Sequence, residues 1–133
     1  MKKNAFIMAA AISVLILMSF VSNLGKDPWP VPDKYTKMVN PVKPDATSIA
    51  DGKALYALHC QSCHGKKGKG DGPKAAQLDT ESGDFSSGDF QKQPDGALYY
   101  KSFEGRKDMP SFKKKIPEPT DLWAVVNYIR TLK

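Results

Sequence analysis

The chain has 133 residues, a formal net charge of +6 and 26% charged residues. This length leaves room for one folded domain, so an arrangement of several domains within these residues is excluded. The chain has two cysteines and two histidines. Because of their positions they cannot all bind one zinc ion, so a structural zinc site with four protein ligands is excluded.

The N-terminal segment combines basic residues with a long apolar run. Lys2 and Lys3 precede an uncharged stretch over residues 5–21, which continues with little change to Leu24. A basic start followed by an apolar core is typical of an export signal, and this run reaches the lower limit of a membrane span. We therefore interpret residues 1–25 as a signal peptide or an uncleaved membrane anchor.

The choice between these two alternatives decides where the protein is located. A small-x-small cleavage site is poor near Ser22, because Phe20 would occupy one of the small positions, so we expect an uncleaved anchor. The rest of the chain then lies on the periplasmic side of the inner membrane. A cleaved signal would leave it free in the periplasm, and in either place we expect no nucleic-acid partner.

Residues 26–45 are rich in proline and are predicted to form a tether. The prolines are Pro28, Pro30, Pro32, Pro41 and Pro44. Because proline removes a backbone donor and restricts φ, this density disfavours helix and favours extended chain. The domain is then expected over residues 46–133, a length at which side chains alone make a thin core.

The first helix of the domain is predicted over residues 48–60. Ser48 followed by Asp51 resembles a capping box, and apolar residues recur after it with helical period. Gly52 lies inside this helix and lowers its stability. We therefore expect another helix to approach closely at Gly52.

Directly after this helix comes Cys60-Gln61-Ser62-Cys63-His64, which holds both cysteines of the chain. Cys-x-x-Cys-His is the attachment motif of c-type haem. Each thiol forms a thioether with a haem vinyl group, and the histidine binds the iron. We therefore predict one covalent haem c on Cys60 and Cys63, with His64 as an iron ligand.

Other interpretations of the motif are a thioredoxin-like redox pair, a structural disulfide and half of a zinc site. A thioredoxin-like motif would begin a helix after a β-strand, whereas an amphipathic helix precedes this motif. The zinc site lacks ligands, because the other histidine, His59, is adjacent to Cys60. The disulfide stays open as the alternative to haem attachment.

Beyond the motif, the sequence predicts helices separated by long loops. The elements are a glycine-rich loop at 65–72, a short helix at 74–78, a polar loop at 81–94 anchored by Phe85 and Phe90, a helix at 95–104 ended by Gly105, a loop at 106–119 and a last helix at 120–132 capped by Thr120. No segment has the convincing alternation of a strand. We therefore predict an all-α domain whose long loops wrap around the haem.

Met109 is the only methionine of the domain beyond the haem motif. A lone methionine commonly fills a gap in a core, but this one lies in a polar loop next to a proline. We predict that its thioether is the second axial ligand, opposite His64, which favours ferrous iron and raises the reduction potential. His59 is excluded by its place beside the cysteine motif, and a lysine of residues 113–115 is the remaining alternative.

These motifs resemble those of class I monohaem cytochromes c of the bacterial type. The resemblance extends over residues 48–133, and its segments are Cys60-x-x-Cys63-His64-Gly65, Gly68-x-Gly70-Asp71-Gly72-Pro73, Met109-Pro110-Ser111-Phe112 and the run 122–130. It implies the small cytochrome c fold, in which Gly52 and Tyr56 cross the last helix. It also implies that the Pro73 carbonyl accepts a hydrogen bond from His64 Nδ1.

The predicted function is electron transfer through a six-coordinate haem c. This function needs no catalytic acid, base or nucleophile, so we do not expect an enzyme. The alternatives are a haem c subunit fixed in a larger respiratory complex, and a haem enzyme or gas-binding protein, for which no distal histidine is available. Lysines cluster at Lys66, Lys67 and Lys69 and again at residues 113–115. Besides an ordinary solvated surface, these clusters indicate docking to acidic redox partner proteins, because charge accelerates encounter.

Overall fold

The computed structural model describes residues 28–133 of the chain. The predicted signal or anchor segment therefore lies outside the described residues. One compact unit comprises Val31–Lys133. Within residues 28–133, no helix combines the length and the apolarity needed to cross a lipid bilayer.

The described part of the chain is helical. Its elements are α1 (Asp33–Thr36), α2 (Ala46–His59), α3 (Gln61–His64), a 3₁₀ turn (Ala75–Gln77), α4 (Gly88–Gln91), α5 (Asp95–Glu104) and α6 (Pro119–Ile129). Across these residues there is no strand, and an isolated bridge pairs Arg106 with Met109. The prediction of an all-α domain is confirmed.

The ends of the two long helices differ slightly from the prediction. Asp45, not Ser48, caps α2, and its carboxylate accepts a hydrogen bond from the Ser48 backbone N–H at 2.9 Å. α6 begins at Pro119, just before Thr120, because proline has a suitable φ and needs no hydrogen bond at the first helical position. It ends at Ile129, earlier than predicted.

The core forms where α2 crosses α6. A Cβ atom added to Gly52 would lie 2.0 Å from the backbone oxygen of Ala124, so no side chain fits between the helices. Beside this contact the rings of Tyr56 and Tyr128 are 5.1 Å apart. The predicted close crossing at Gly52 is confirmed, and it holds the end of α2, which carries the cysteine motif, against α6.

Residues 31–45 form a strap against α5 and α6, unlike the extended tether that was predicted. Pro32 is the N-cap of α1, a position where proline is compatible with helix because no backbone donor is needed there. The rings of Tyr35 and Tyr100 are 4.6 Å apart. A Cβ atom on Gly96 of α5 would lie 1.9 Å from the Tyr35 backbone oxygen, so the strap and α5 are in backbone contact.

Asn127 of α6 joins the strap to both long helices. Its side-chain oxygen accepts a hydrogen bond from Asn40 Nδ2 at 2.8 Å. Its Nδ2 donates to the Val42 carbonyl at 3.1 Å and to Ser48 Oγ at 3.2 Å. Because a buried amide is costly without such partners, this network makes residues 31–45 part of the compact unit.

The predicted loop at 81–94 contains the short helix α4. Its N-cap Ser87 accepts a hydrogen bond from the Phe90 backbone N–H at 3.3 Å. Phe85 is buried and its ring stacks on that of Phe90 at 4.4 Å, as expected for residues that anchor this segment. Helix α5 has the predicted bounds and ends at Gly105, whose φ is +70°.

Candidate haem-binding site

The cysteine motif lies on a tight turn at the end of α2. Cys60 is both the C-cap of α2 and the N-cap of α3. Its carbonyl accepts hydrogen bonds from the backbone N–H groups of Cys63, at 3.2 Å, and of His64, at 3.0 Å. The two cysteines therefore stand one helical turn apart, as two thioether links to one haem edge require, and both are half-buried free thiols.

The glycine-rich loop after the motif is bonded back onto it. The backbone N–H groups of Gly70, Gly72 and Lys74 donate to the carbonyls of His64, at 2.9 Å, Cys63, at 3.2 Å, and Ser62, at 2.8 Å. A Cβ atom on Gly72 would lie 2.4 Å from the Ser62 carbonyl oxygen. Glycine at this position thus permits the close approach that closes the loop over the motif.

Tyr56 of α2 fixes the far end of the motif. Its buried hydroxyl donates to the Gly65 carbonyl at 2.7 Å. Burial raises the pKa of the Tyr56 hydroxyl above its usual range, so the group remains a neutral donor. The crossing of α2 and α6 is thereby connected to the residue that follows His64.

Burial also favours the uncharged forms of Cys60 and His64. It raises the pKa of the Cys60 thiol to about 12, with a contribution from neighbouring Cys63, so before haem attachment Cys60 is a thiol rather than a thiolate at physiological pH. Burial lowers the pKa of His64, an effect that the Ser82 backbone partly offsets. A neutral imidazole has a lone pair available for a metal.

The surroundings of His64 leave room for a ligand role. Its Nδ1 is buried and has no hydrogen-bond partner of normal geometry among the described residues, and the Phe85 ring stacks on the imidazole at 4.4 Å. Pro73, which the resemblance assigns to Nδ1, is exposed and lies between Gly72 and Lys74, which both bond to the motif. Its role as acceptor for His64 stays a prediction.

Met109 lies in a closed turn, here called the Met109 turn (residues 105–112). Arg106 and Met109 exchange two backbone hydrogen bonds, at 2.8 and 3.0 Å. A Cβ atom on Gly105 would lie 2.5 Å from backbone atoms of Pro110 and Ser111, so the turn folds back directly on the end of α5. The half-buried Met109 side chain packs against the hydrophobic core that Cys60 also contacts.

Thr80 and Asp108 connect the Met109 turn to residues 78–87, here called the proximal loop. Asp108 Oδ2 accepts hydrogen bonds from the Thr80 backbone N–H at 2.9 Å and from the Thr80 hydroxyl at 2.8 Å. The Thr80 hydroxyl is the largest of the influences that lower the pKa of Asp108. Sequence reasoning did not find this contact, because two polar residues in separate loops give no periodic or motif signal.

The donor set fits a covalent haem c. Such a cofactor uses two thiols one turn apart, a neutral imidazole and a methionine thioether. The described residues supply them as Cys60 and Cys63, the half-buried His64 ring with its buried and unpartnered Nδ1, and Met109 on the same apolar core. His59 does not compete as a ligand opposite His64, because it ends α2 and its ring faces Phe112 at 6.0 Å.

Comparison with known proteins agrees with this chemistry. The family model for cytochrome c matches residues 49–133. The chain belongs to the cytochrome c family. Its cofactor is therefore haem c, bound covalently through the Cys-x-x-Cys-His motif, and haem-based electron transfer is the chemistry of the family.

A solved structure is similar to most of this cytochrome c chain. It is a chain of the reducing HAO-like protein complex of Kuenenia stuttgartiensis, 28% identical with a TM-score of 0.64. The similarity covers 81% of this chain and 52% of that chain, so this protein spans about half the length of that relative. No curated protein matches it.

Proposed function

We propose that this cytochrome c is a one-electron carrier with His64 and Met109 as the two axial ligands of its haem. The observation that carries the proposal is the Met109 turn: it is closed by backbone hydrogen bonds and presents Met109 to the core that Cys60 contacts. The protein works on the outer side of the cytoplasmic membrane, and residues 5–24 attach it there.

The described residues bind and orient rather than perform proton chemistry. The haem, when bound, supplies the one-electron chemistry of its iron. Cys60 and Cys63 would hold its edge, and the neutral imidazole of His64, on which the Phe85 ring stacks, would bind its iron. The Met109 thioether is a soft, uncharged ligand, which stabilises ferrous iron and raises the reduction potential.

Replacing Met109 tests the ligand assignment. The wild-type ferric protein should show the weak near-infrared absorption of sulfur bound to ferric iron, and Met109→Ala should abolish it. The potential should fall by on the order of 0.1 V, a fraction of the roughly 0.8 V that axial ligands span. The matched control is Met38→Ala, which removes a partly exposed methionine of the strap and should change neither property.

Two results would contradict the assignment. Sulfur absorption that persists in Met109→Ala would mean another ligand, and a lysine of residues 113–115 would then be tested next. A wild-type protein that binds carbon monoxide without displacing a protein ligand would favour a gas-binding protein or a haem enzyme.

A fixed subunit of a larger redox complex is the second candidate. It is favoured by the similarity to a chain that belongs to a protein complex. Purification from native membranes at low detergent distinguishes the two, because a subunit should co-migrate with an oxidoreductase in constant ratio and a carrier should separate from it.

Exposed lysines on two sides of the site support docking to acidic partner proteins. Lys66, Lys67 and Lys69 lie on the loop after the motif, and residues 113–115 follow the Met109 turn. Lys113 is paired with Glu104 at 2.7 Å. Among residues 28–133, Lys114 and Lys115 have no carboxylate partner of this kind, so they contribute more to the positive potential that a partner meets.

A further inference from the structure

The contact between Thr80 and Asp108 joins the two loops that support the opposite ligands. Asp108 is adjacent to Met109, at the tip of the Met109 turn. Thr80 lies near the start of the proximal loop, in which the Phe85 ring stacks on the imidazole of His64 at 4.4 Å. The loops are distant in sequence, since the paired residues are separated by 28 positions along the chain.

Each loop is also fixed independently at its other end. The Phe85 backbone N–H donates to the Gly68 carbonyl at 2.6 Å, which ties the proximal loop to the glycine-rich loop. In the Met109 turn, Ser111 Oγ donates to the Phe103 carbonyl at 2.7 Å. The side of the turn that carries Asp108 and Met109 is thus the side that the contact with Thr80 restrains.

The backbone next to Asp108 has an unfavourable conformation, so the contact with Thr80 is needed to hold it. Lys107 has φ of +53°, a left-handed conformation that few non-glycine residues adopt. The turn therefore contains a residue in a costly conformation two positions before the proposed ligand, and neighbouring contacts must hold it there. A carboxylate that accepts two hydrogen bonds from one threonine is such a contact.

We propose that Thr80 and Asp108 are positioning residues that keep Met109 on the haem iron by fixing the Met109 turn to the proximal loop. This inference rests on the proposed ligation by Met109. Breaking the contact leaves the core intact and increases the fraction of molecules in which the methionine has left the iron. An added ligand binds only to that fraction, so its apparent affinity reports the opening directly.

The test measures binding of imidazole to the ferric holoprotein. Asp108→Ala should bind imidazole more tightly than wild type by on the order of tenfold, because the open fraction rises by that factor. Thr80→Val, which keeps the shape and the backbone donor, should give a smaller increase of about threefold by the same relation. The double variant should not exceed Asp108→Ala, since both changes remove one contact.

Asp84 and Ser86 provide a matched control. Asp84 Oδ1 accepts hydrogen bonds from the Ser86 backbone N–H at 2.8 Å and from its hydroxyl at 2.6 Å, which reproduces the chemistry of the Thr80 contact within the proximal loop alone. Asp84→Ala should leave imidazole affinity unchanged. Asp108→Asn keeps an acceptor oxygen and should fall between wild type and Asp108→Ala.

The outcomes separate this inference from the proposed function. If the wild-type sulfur absorption is present and is lost in Met109→Ala, but Asp108→Ala binds imidazole as wild type does, the positioning role is wrong and the ligation stands. If Asp108→Ala and Asp84→Ala bind equally more tightly, the effect is general loosening and the positioning role is again wrong. If Met109→Ala retains the wild-type absorption, the ligation itself fails.

Discussion

The two sides of the haem site are held by different kinds of contact. The cysteine motif is bonded by backbone groups of the glycine-rich loop and by the buried Tyr56 hydroxyl. The Met109 turn is closed by its own backbone hydrogen bonds, but exposed side chains such as Asp108 and Ser111 join it to the neighbouring segments. Buried hydrogen bonds are costly to break, whereas exposed ones exchange readily with water.

This difference indicates how a small electron carrier divides its tasks. The motif side anchors the cofactor covalently and connects it to the crossing of α2 and α6. The methionine side, which carries the proposed second ligand, is joined to the rest of the site by contacts that single substitutions can adjust. Stability should therefore depend mostly on the first side, and ligand exchange mostly on the second.

Cys63→Ala should have the largest effect. It removes one of the two thioether positions, so most of the holoprotein should be lost when the protein is expressed with its haem-attachment machinery. Haem staining after denaturing electrophoresis measures the covalently bound cofactor. Ser62→Ala, between the two cysteines, should retain full staining. Equal staining in both variants would contradict attachment through Cys63.

Gly52→Ala should reduce stability without changing the methionine side. The added Cβ meets the Ala124 backbone oxygen, and overpacking of this kind costs about 1–3 kcal/mol, more than the gain in helix propensity. Denaturant unfolding of the holoprotein measures the loss. In the control variant Gly88→Ala, the added Cβ meets nothing within 4 Å, so the free energy of unfolding should not fall. If Gly52→Ala also bound imidazole more tightly than wild type, stability and ligand exchange would not depend on different sides of the site.

Charge reversal at the lysines should have the smallest effect and should show which side docks. The double change of Lys114 and Lys115 to Glu should slow electron transfer to an acidic partner by on the order of tenfold at low salt, with the difference shrinking as salt rises. The same change at Lys66 and Lys67 tests the motif side. Spectrum and potential should remain as in wild type. An electron-transfer rate that changes neither with salt nor with either double substitution would mean that these lysines are ordinary solvated surface.

The chemistry of the site and the main helices could be predicted from the sequence. Haem attachment depends on residues within one turn of chain, and helices on a repeating apolar pattern, so both leave local signals. The close crossing at Gly52 was also predictable, because a glycine inside a helix lowers its stability and the close approach of another helix explains its presence. The Met109 ligand role remains a prediction, supported by the turn in which the residue lies.

The strap and the link between the two loops became visible only in the tertiary structure. Proline-rich sequence indicated extended chain over residues 26–45, yet within this segment Asn40 contacts Asn127, 87 positions along the chain. Thr80 likewise meets Asp108 only because the folded loops bring them together. Local patterns determine which residues form helices and attach the cofactor, whereas contacts between irregular segments depend on where the packed helices place their ends.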